Sequence, residues 1–170
     1  MTQDDLYEQA AAEFGPALDR LASAYEAHPD KRSDLLQEIH FALWRSLATW
    51  DARCSLRTWV YRVAHNTATT HVVRQRRVYG SLISIEDAAD IPSGAEPGSV
   101  HERRSTSERL LVLIQQLKPL DRQVIVSYLE DMDAASIGEI TGLSPANVAM
   151  KIHRIKTVLA RRFHSGVSHA

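Results

Sequence analysis

The chain has 170 residues, of which 44% are hydrophobic and 24% charged, with a formal net charge of -1; this is the composition of a protein that buries a core, and it excludes a disordered chain. Its one cysteine, Cys54, excludes an internal disulfide, and no apolar run approaches the roughly 20 residues needed to span a bilayer. The start MTQDDLYEQAAAEF carries acids where a secretory signal would carry bases, so the expected setting is the cytoplasm, with no membrane insertion.

Helical spacing recurs along the chain and period-two alternation is rare, so the expected class is all-α. Leu6, Ala10, Phe14, Leu18, Leu21 and Tyr25 trace one apolar stripe; Gly15-Pro16 should cap or kink it, and His28-Pro29-Asp30 should stop it. Residues 34–49 read as a second helix, with Leu36, Ile39, Leu43 and Leu47 on one face and Trp44 beside it. Ser55 reads as the N-cap of a third helix, long and basic. There Trp59, Val63 and Asn66 or Thr67 share a side, while Arg57, Tyr61, His65, Arg74, Arg76 and Arg77 make the other faces polar. From 80 to 107 the periodicity fades and Pro92, Gly94, Pro97 and Gly98 break the chain, as in a flexible acidic linker. Helix restarts over 108–117, is interrupted at Pro119, and continues over 121–130 with Val124, Ile125 and Tyr128.

The last stretch has the order a helix-turn-helix requires. Residues 133–141 form a short helix with Ile137 and Ile140 inward, Gly142 supplies a left-handed turn, Leu143 plugs the core, and Ser144 caps a second helix with Pro145 at its first position. Val148, Ile152, Ile155 and Leu159 fall on the buried side, leaving Asn147, Met150, Lys151, His153, Arg154 and Lys156 outward or flanking. Asn and Arg suit base edges and Lys suits phosphate, so the expected neighbour is a DNA major groove. His153 has no second His or Cys four residues away and reads as a groove or surface residue, and Met150 as groove-facing or packed.

Charge supports a polyanion partner. Residues 1–39 hold nine acids and three bases, 40–83 one acid and seven arginines, 84–139 eleven acids and five bases, and the remainder five bases and no acid. Trp44, Trp50 and Trp59 fall among or beside the arginines of the first basic block; rings stacking on unpaired bases, or rings in a core, both fit that pattern.

DLLQE, then ALWR, then SLRTWVYRVAHNTA and a run of arginines resemble region two of bacterial RNA polymerase sigma factors of the extracytoplasmic-function group. LKPLDRQVIVSYLEDMDAASIGEITGLSPANVAMKIHRIKTVL resembles their region four. The resemblance implies two small helical domains on a flexible linker: residues 1–79 as region two, 80–107 as linker, 108–165 as region four and 166–170 as a tail. It implies that Asp34, Gln37, Glu38, Trp44 and Arg45 bind core polymerase at the clamp helices of its largest subunit. Trp50, Cys54, Ser55, Arg57, Trp59, Tyr61, Arg62 and Asn66 would melt and hold the minus-ten element. Ser144, Asn147, Met150, Lys151, His153, Arg154 and Lys156 would serve the minus-thirty-five element, with the polymerase flap, promoter DNA and an anti-sigma factor or other regulator as further partners. Where the group often has acids before its DLLQE-like motif this chain has Lys31, Arg32 and Ser33, so phosphorylation of Ser33 would restore negative charge. Ala149 and Ser127 stand where bases are common, which shifts base reading toward Asn147, His153 and Arg154. Cys54 is either a small loop residue or a redox group. No Gly-rich phosphate loop, HExxH pair or nucleophile cluster is present, so neither an enzyme nor a cofactor or metal site is expected. The competing readings are a stand-alone helix-turn-helix regulator and a helical polymerase-binding protein that has lost promoter recognition; the first module, useless to a lone repressor, counts against the stand-alone regulator.

Overall fold

Thr2 starts the first helix by a reciprocal cap: its hydroxyl accepts from the Asp5 N–H at 3.1 Å, and the Asp5 carboxylate accepts from the Thr2 N–H at 2.7 Å. The Thr2 backbone bond holds the Asp5 carboxyl below its usual range. In the computed structural model, which describes residues 1–79 and 105–166 without the side chains at 76, 78 and 79, this helix α1 runs through Gln3–Tyr25. Gly15-Pro16, expected to cap or kink this helix, does not end it. Pro16 lies inside the helix, and an interior proline costs roughly 3 kcal/mol. Burial of Ala10, Phe14, Ala17, Leu18 and Leu21 on both sides of it outweighs that cost, at roughly 1.5–3 kcal/mol for each large apolar side chain.

Helix α2 spans Pro29–Leu47, beginning five residues before the expected start because the proline that ends α1 sits at the first turn of α2, where a missing N–H is harmless. Helix α3 spans Leu56–Tyr79, and Ser55 is its cap as expected, accepting from Thr58 N–H at 3.1 Å. These three helices pack mutually around Leu18, Leu21, Leu35, Ile39, Leu43, Val60, Ala64 and Ala68.

Four more helices form the second bundle: α4 (Thr106–Gln115), α5 (Pro119–Leu129), α6 (Ala134–Thr141) and α7 (Pro145–Ser165). A Ser105–Glu108 capping box starts α4 inside the expected linker. The rest of that linker, residues 80–104, and residues 167–170 of the tail lie outside the described residues. The helix-turn-helix forms as its sequence demands: Gly142 has φ of 80°, and Ser144 caps α7 by accepting from Asn147 N–H at 3.2 Å. Among the described residues there is no strand.

The periodicity of the sequence does not show that the two bundles lie against each other. Helix α1 packs on α4 and α5, and α3 packs on α5 and α6, so that the buried residues of both bundles form one continuous cluster.

Candidate protein and nucleic-acid interfaces

Burial of Leu35, Ile39, Leu43 and Leu47 turns the opposite side of α2 to solvent. That side carries Asp34, Gln37, Glu38, Trp44 and Arg45, all exposed, so the residues assigned to polymerase binding share one face. It also carries Phe41, 61% exposed, which stacks on Trp44 with ring centroids 6.4 Å apart and lies under the Arg45 guanidinium. Sequence reasoning missed Phe41, although an apolar residue out of phase with the buried stripe and three residues before a tryptophan was the available signal. The Trp44 indole donates to Asp4 at 2.8 Å and Glu38 pairs with Arg74 of α3 at 2.8 Å, so the face is partly ordered from behind.

The loop between α2 and α3 holds Trp50, Cys54 and Ser55. Trp50 donates its indole N–H to the Cys54 carbonyl at 3.2 Å, closing a turn in which Ala52 adopts a left-handed φ of 60°. Trp59 donates to the Ser46 hydroxyl at 3.0 Å and packs, half-buried, against the core. Both rings thus have structural partners inside the first bundle. Asn66 is exposed.

The other predicted residues of α3 behave differently. Tyr61 and His65, expected on polar outer faces, are 1% and 0% exposed because α1, through Phe14 and Tyr25, and α5, through Ser127, cover them. Arg57 donates to the Glu130 carbonyl, Arg62 to the Glu139 carbonyl at 2.9 Å, and Tyr61 to the Glu130 carboxylate at 3.3 Å. Glu130 is itself gripped by Arg20 of α1 through two bonds of 2.6 and 2.8 Å. Burial first, and then the Glu130 charge, pushes the Tyr61 phenol up to about 12. His65 bridges the Tyr25 hydroxyl at 2.8 Å and the Ser127 hydroxyl at 3.1 Å, and burial holds it down at about 3, hence neutral. Further bonds run from Gln115 to the Ser23 carbonyl (2.8 Å) and from Gln123 to the Thr69 hydroxyl (2.9 Å). Neither Arg20 nor Glu130 could be found from sequence, since the pair is 110 residues apart.

On α7 the structure leaves Ser144, Asn147, Met150, His153 and Arg154 exposed along one side, Met150 at 53%. Lys151 and Lys156, assigned with them, reach back to α5. Lys151 pairs with the buried carboxylate of Asp121 at 2.6 Å, and Lys156 lies over the Tyr128 ring. No cluster of three or more His, Cys, Asp or Glu that could hold a metal occurs among the described residues, nor does any helix there have the length and apolarity to cross a membrane.

Comparison with known proteins agrees with this division. Residues 11–78 match Sigma-70 region 2 and residues 107–159 match Sigma-70, region 4. The chain is 26% identical over 159 residues to the RNA polymerase sigma factor YlaC of Bacillus subtilis strain 168, covering 93% of this chain and 90% of that one. It is 30% identical over 118 residues to the ECF RNA polymerase sigma-E factor of Escherichia coli strain K12, covering 68% of this chain and 59% of that one. In fold it is similar to the sigma factor RpoE in complex with the anti-sigma factor NepR from Bartonella quintana, with a TM-score of 0.70, 15% identity and coverage of 96% and 98%. It is also similar to CnrH in complex with the cytosolic domain of CnrY, with a TM-score of 0.64, 20% identity and coverage of 94% and 88%. With both regions matched in order, the chain belongs to the sigma-70 family of RNA polymerase sigma factors, in its extracytoplasmic-function group.

Proposed function

We propose that this sigma factor binds core RNA polymerase in the cytoplasm and directs it to a set of promoters, without a catalytic site of its own. The observation that carries the reading is the conjunction of two family regions, in order, with two exposed faces of the matching chemistry: the acidic and aromatic side of α2 and the carboxylate-free outer side of α7. Asp34, Gln37, Glu38, Phe41, Trp44 and Arg45 dock on the clamp helices of the polymerase, with the stacked rings as anchor and the charges setting orientation. Asn147, His153 and Arg154 read base edges of the minus-thirty-five duplex, and Ser144 and Met150 flank them. Lys151 and Lys156 support that helix through α5 as much as they contribute positive charge. The loop at Trp50, Cys54 and Ser55, with Arg57, Trp59, Tyr61, Arg62 and Asn66, takes the separated minus-ten strand. Residues 1–79 and 108–165 act as separable bodies on the promoter, joined by 80–107. A regulator of the anti-sigma kind, as RpoE and CnrH have in NepR and CnrY, fits such a chain.

Run-off transcription on a genomic promoter library, with core polymerase supplemented by the full chain, tests the assignment. Defined start points that appear only with the chain present are expected; tight duplex binding by the chain alone, with no effect on polymerase, would replace it with the stand-alone regulator.

A further inference from the structure

Two arginines and a tyrosine from the first bundle converge on one carboxylate of the second. Glu130 lies at the end of α5, its side chain 13% exposed, with both oxygens held by the Arg20 fork, one of them also accepting from Tyr61, while Arg57 takes the carbonyl of the same residue. A fork on two oxygens, a hydroxyl on one and a second guanidinium alongside is the donor set that recognises a phosphodiester as readily as a carboxylate. Two of the three donor residues, Arg57 and Tyr61, already belong to the surface assigned to the separated strand. Arg62 is occupied as well, by the backbone carbonyl of Glu139.

On the proposed assignment this arrangement is incompatible with engaging both promoter elements at once. The minus-ten and minus-thirty-five elements lie about 25 base pairs apart, or roughly 85 Å at 3.4 Å per step. Here α3 is hydrogen-bonded to α6, the helix immediately before the recognition helix. Both readers cannot engage their elements until Glu130 leaves Arg20 and Arg57.

We propose that Arg20, Arg57 and Tyr61 form a phosphate cradle for the promoter strand, and that Glu130 occupies it as an internal substitute while the two bundles are closed. The inference rests on the initiation reading above for the identity of the strand. Arg20 thereby becomes a DNA-contacting residue that the sequence motifs did not single out, and Glu130 an autoinhibitory one. Binding of a strand and closure of the chain compete for the same donors, so closure lowers apparent affinity by the fraction of molecules that are open.

The test uses the full chain without polymerase and a short fluorescein-labelled single-stranded oligodeoxynucleotide of mixed sequence. Glu130→Gln should bind it about 3- to 10-fold more tightly than the parent, the gain expected when a competing internal anion is removed. Glu8→Gln removes the same charge from an exposed position of α1 and should give no comparable gain. Adding Arg20→Ala to Glu130→Gln should abolish the gain. If Glu130→Gln binds no more tightly than Glu8→Gln, or keeps its gain without Arg20, the cradle is wrong. On the unaltered chain, adding the oligonucleotide should speed amide exchange across residues 126–141 as the bundles part, and unchanged exchange there overturns the proposal without any variant having to fold. Run-off transcription separates the two ideas: a chain that passes these tests yet never directs polymerase sinks the initiation reading alone, while one that directs polymerase and fails them sinks only the cradle.

Discussion

His65 has no solvent access and sits between two hydroxyls, Tyr25 on one side and Ser127 on the other, with the Tyr61 ring beside it and the Arg122 guanidinium against the far face of Tyr25. A neutral imidazole satisfies both hydroxyls, one nitrogen donating and the other accepting; a cation there would face a guanidinium and no carboxylate bonded to it. Its folded pKa of about 3 lies below the ordinary 6.5, so an unfolded chain takes up the proton first as the pH falls. The stabilisation is therefore complete above about pH 6.5 and shrinks below it, by about 2 kcal/mol at pH 5, since each unit between the two values is worth about 1.4 kcal/mol. Thermal melting at pH 7.5 and pH 5 should show the parent losing more than His65→Gln does. Equal losses would mean that the ring is protonated in place. Glu26 acts in the same direction: burial alone would raise its carboxyl, but bonds from His71 and the His28 N–H bring it below the usual range, so its contribution is also lost on acidification.

At the level of the helix, Gly138 fixes how closely α6 meets the turn that follows it. A Cβ at this position would stand 2.6 Å from the Leu143 carbonyl oxygen, closer than any real contact, and the obstacle is backbone that cannot swing aside. Gly138→Ala should cost about 1–3 kcal/mol, the usual range for overpacking, and should weaken binding of duplex promoter DNA by the holoenzyme. Gly142 has open space around it and is constrained only by its φ of 80°. On α2 the corresponding test is Phe41→Ala, which removes an exposed ring and should leave the melting temperature nearly unchanged while weakening core-polymerase affinity by about 1–2 kcal/mol, as for a peripheral anchor. Loss of stability without loss of affinity would make Phe41 part of the fold instead. The elements differed in how far sequence could reveal them, and for physical reasons. The helix-turn-helix was legible because cap, turn glycine, plug and proline are local signals. Pro16 did not end its helix because a local penalty was outweighed by packing against α2 and α3, which lie further along the chain. The covered side of α3 was invisible because Arg57, Tyr61 and His65 look like solvent residues to any periodicity, and their partners lie 40 to 73 residues away. The exposed side of α2 could be read because an apolar stripe lies opposite it, although Leu35 takes the fully buried place expected of Leu36, and Phe41 was lost only because one apolar residue on a polar face is usually incidental.

For the molecule as a whole, one continuous core implies one cooperative unit. Arg122 shows the coupling most directly. It is 1% exposed and forks onto the Gln115 and Leu117 carbonyls at 2.6 and 2.7 Å, and it also reaches the Tyr25 carbonyl at the end of α1 at 3.4 Å. Burial pulls its pKa down from the usual arginine value, partly offset by Tyr25 and Glu26. At neutral pH the free chain should melt in a single step, with calorimetric and van't Hoff enthalpies in agreement. Arg122→Met should lower stability by about 3 kcal/mol, because three carbonyls lose their donor together. Two resolved transitions in the parent would show that the bundles fold without each other, and the shared core would then be a weak contact. The division into two regions was plain from sequence; their mutual burial was not, since it depends on which polar groups find each other across a chain reversal that no spacing encodes.

Closure treats the two ends of the molecule unequally. While Arg57, Tyr61 and Arg62 are engaged, the outward edge of α7, with Asn147, His153 and Arg154, stays uncovered. On the proposed assignment a shut molecule keeps its duplex-reading edge open while three of its strand-binding side chains are occupied, so the order of start-site selection follows from its shape: upstream grip comes first and full strand capture second.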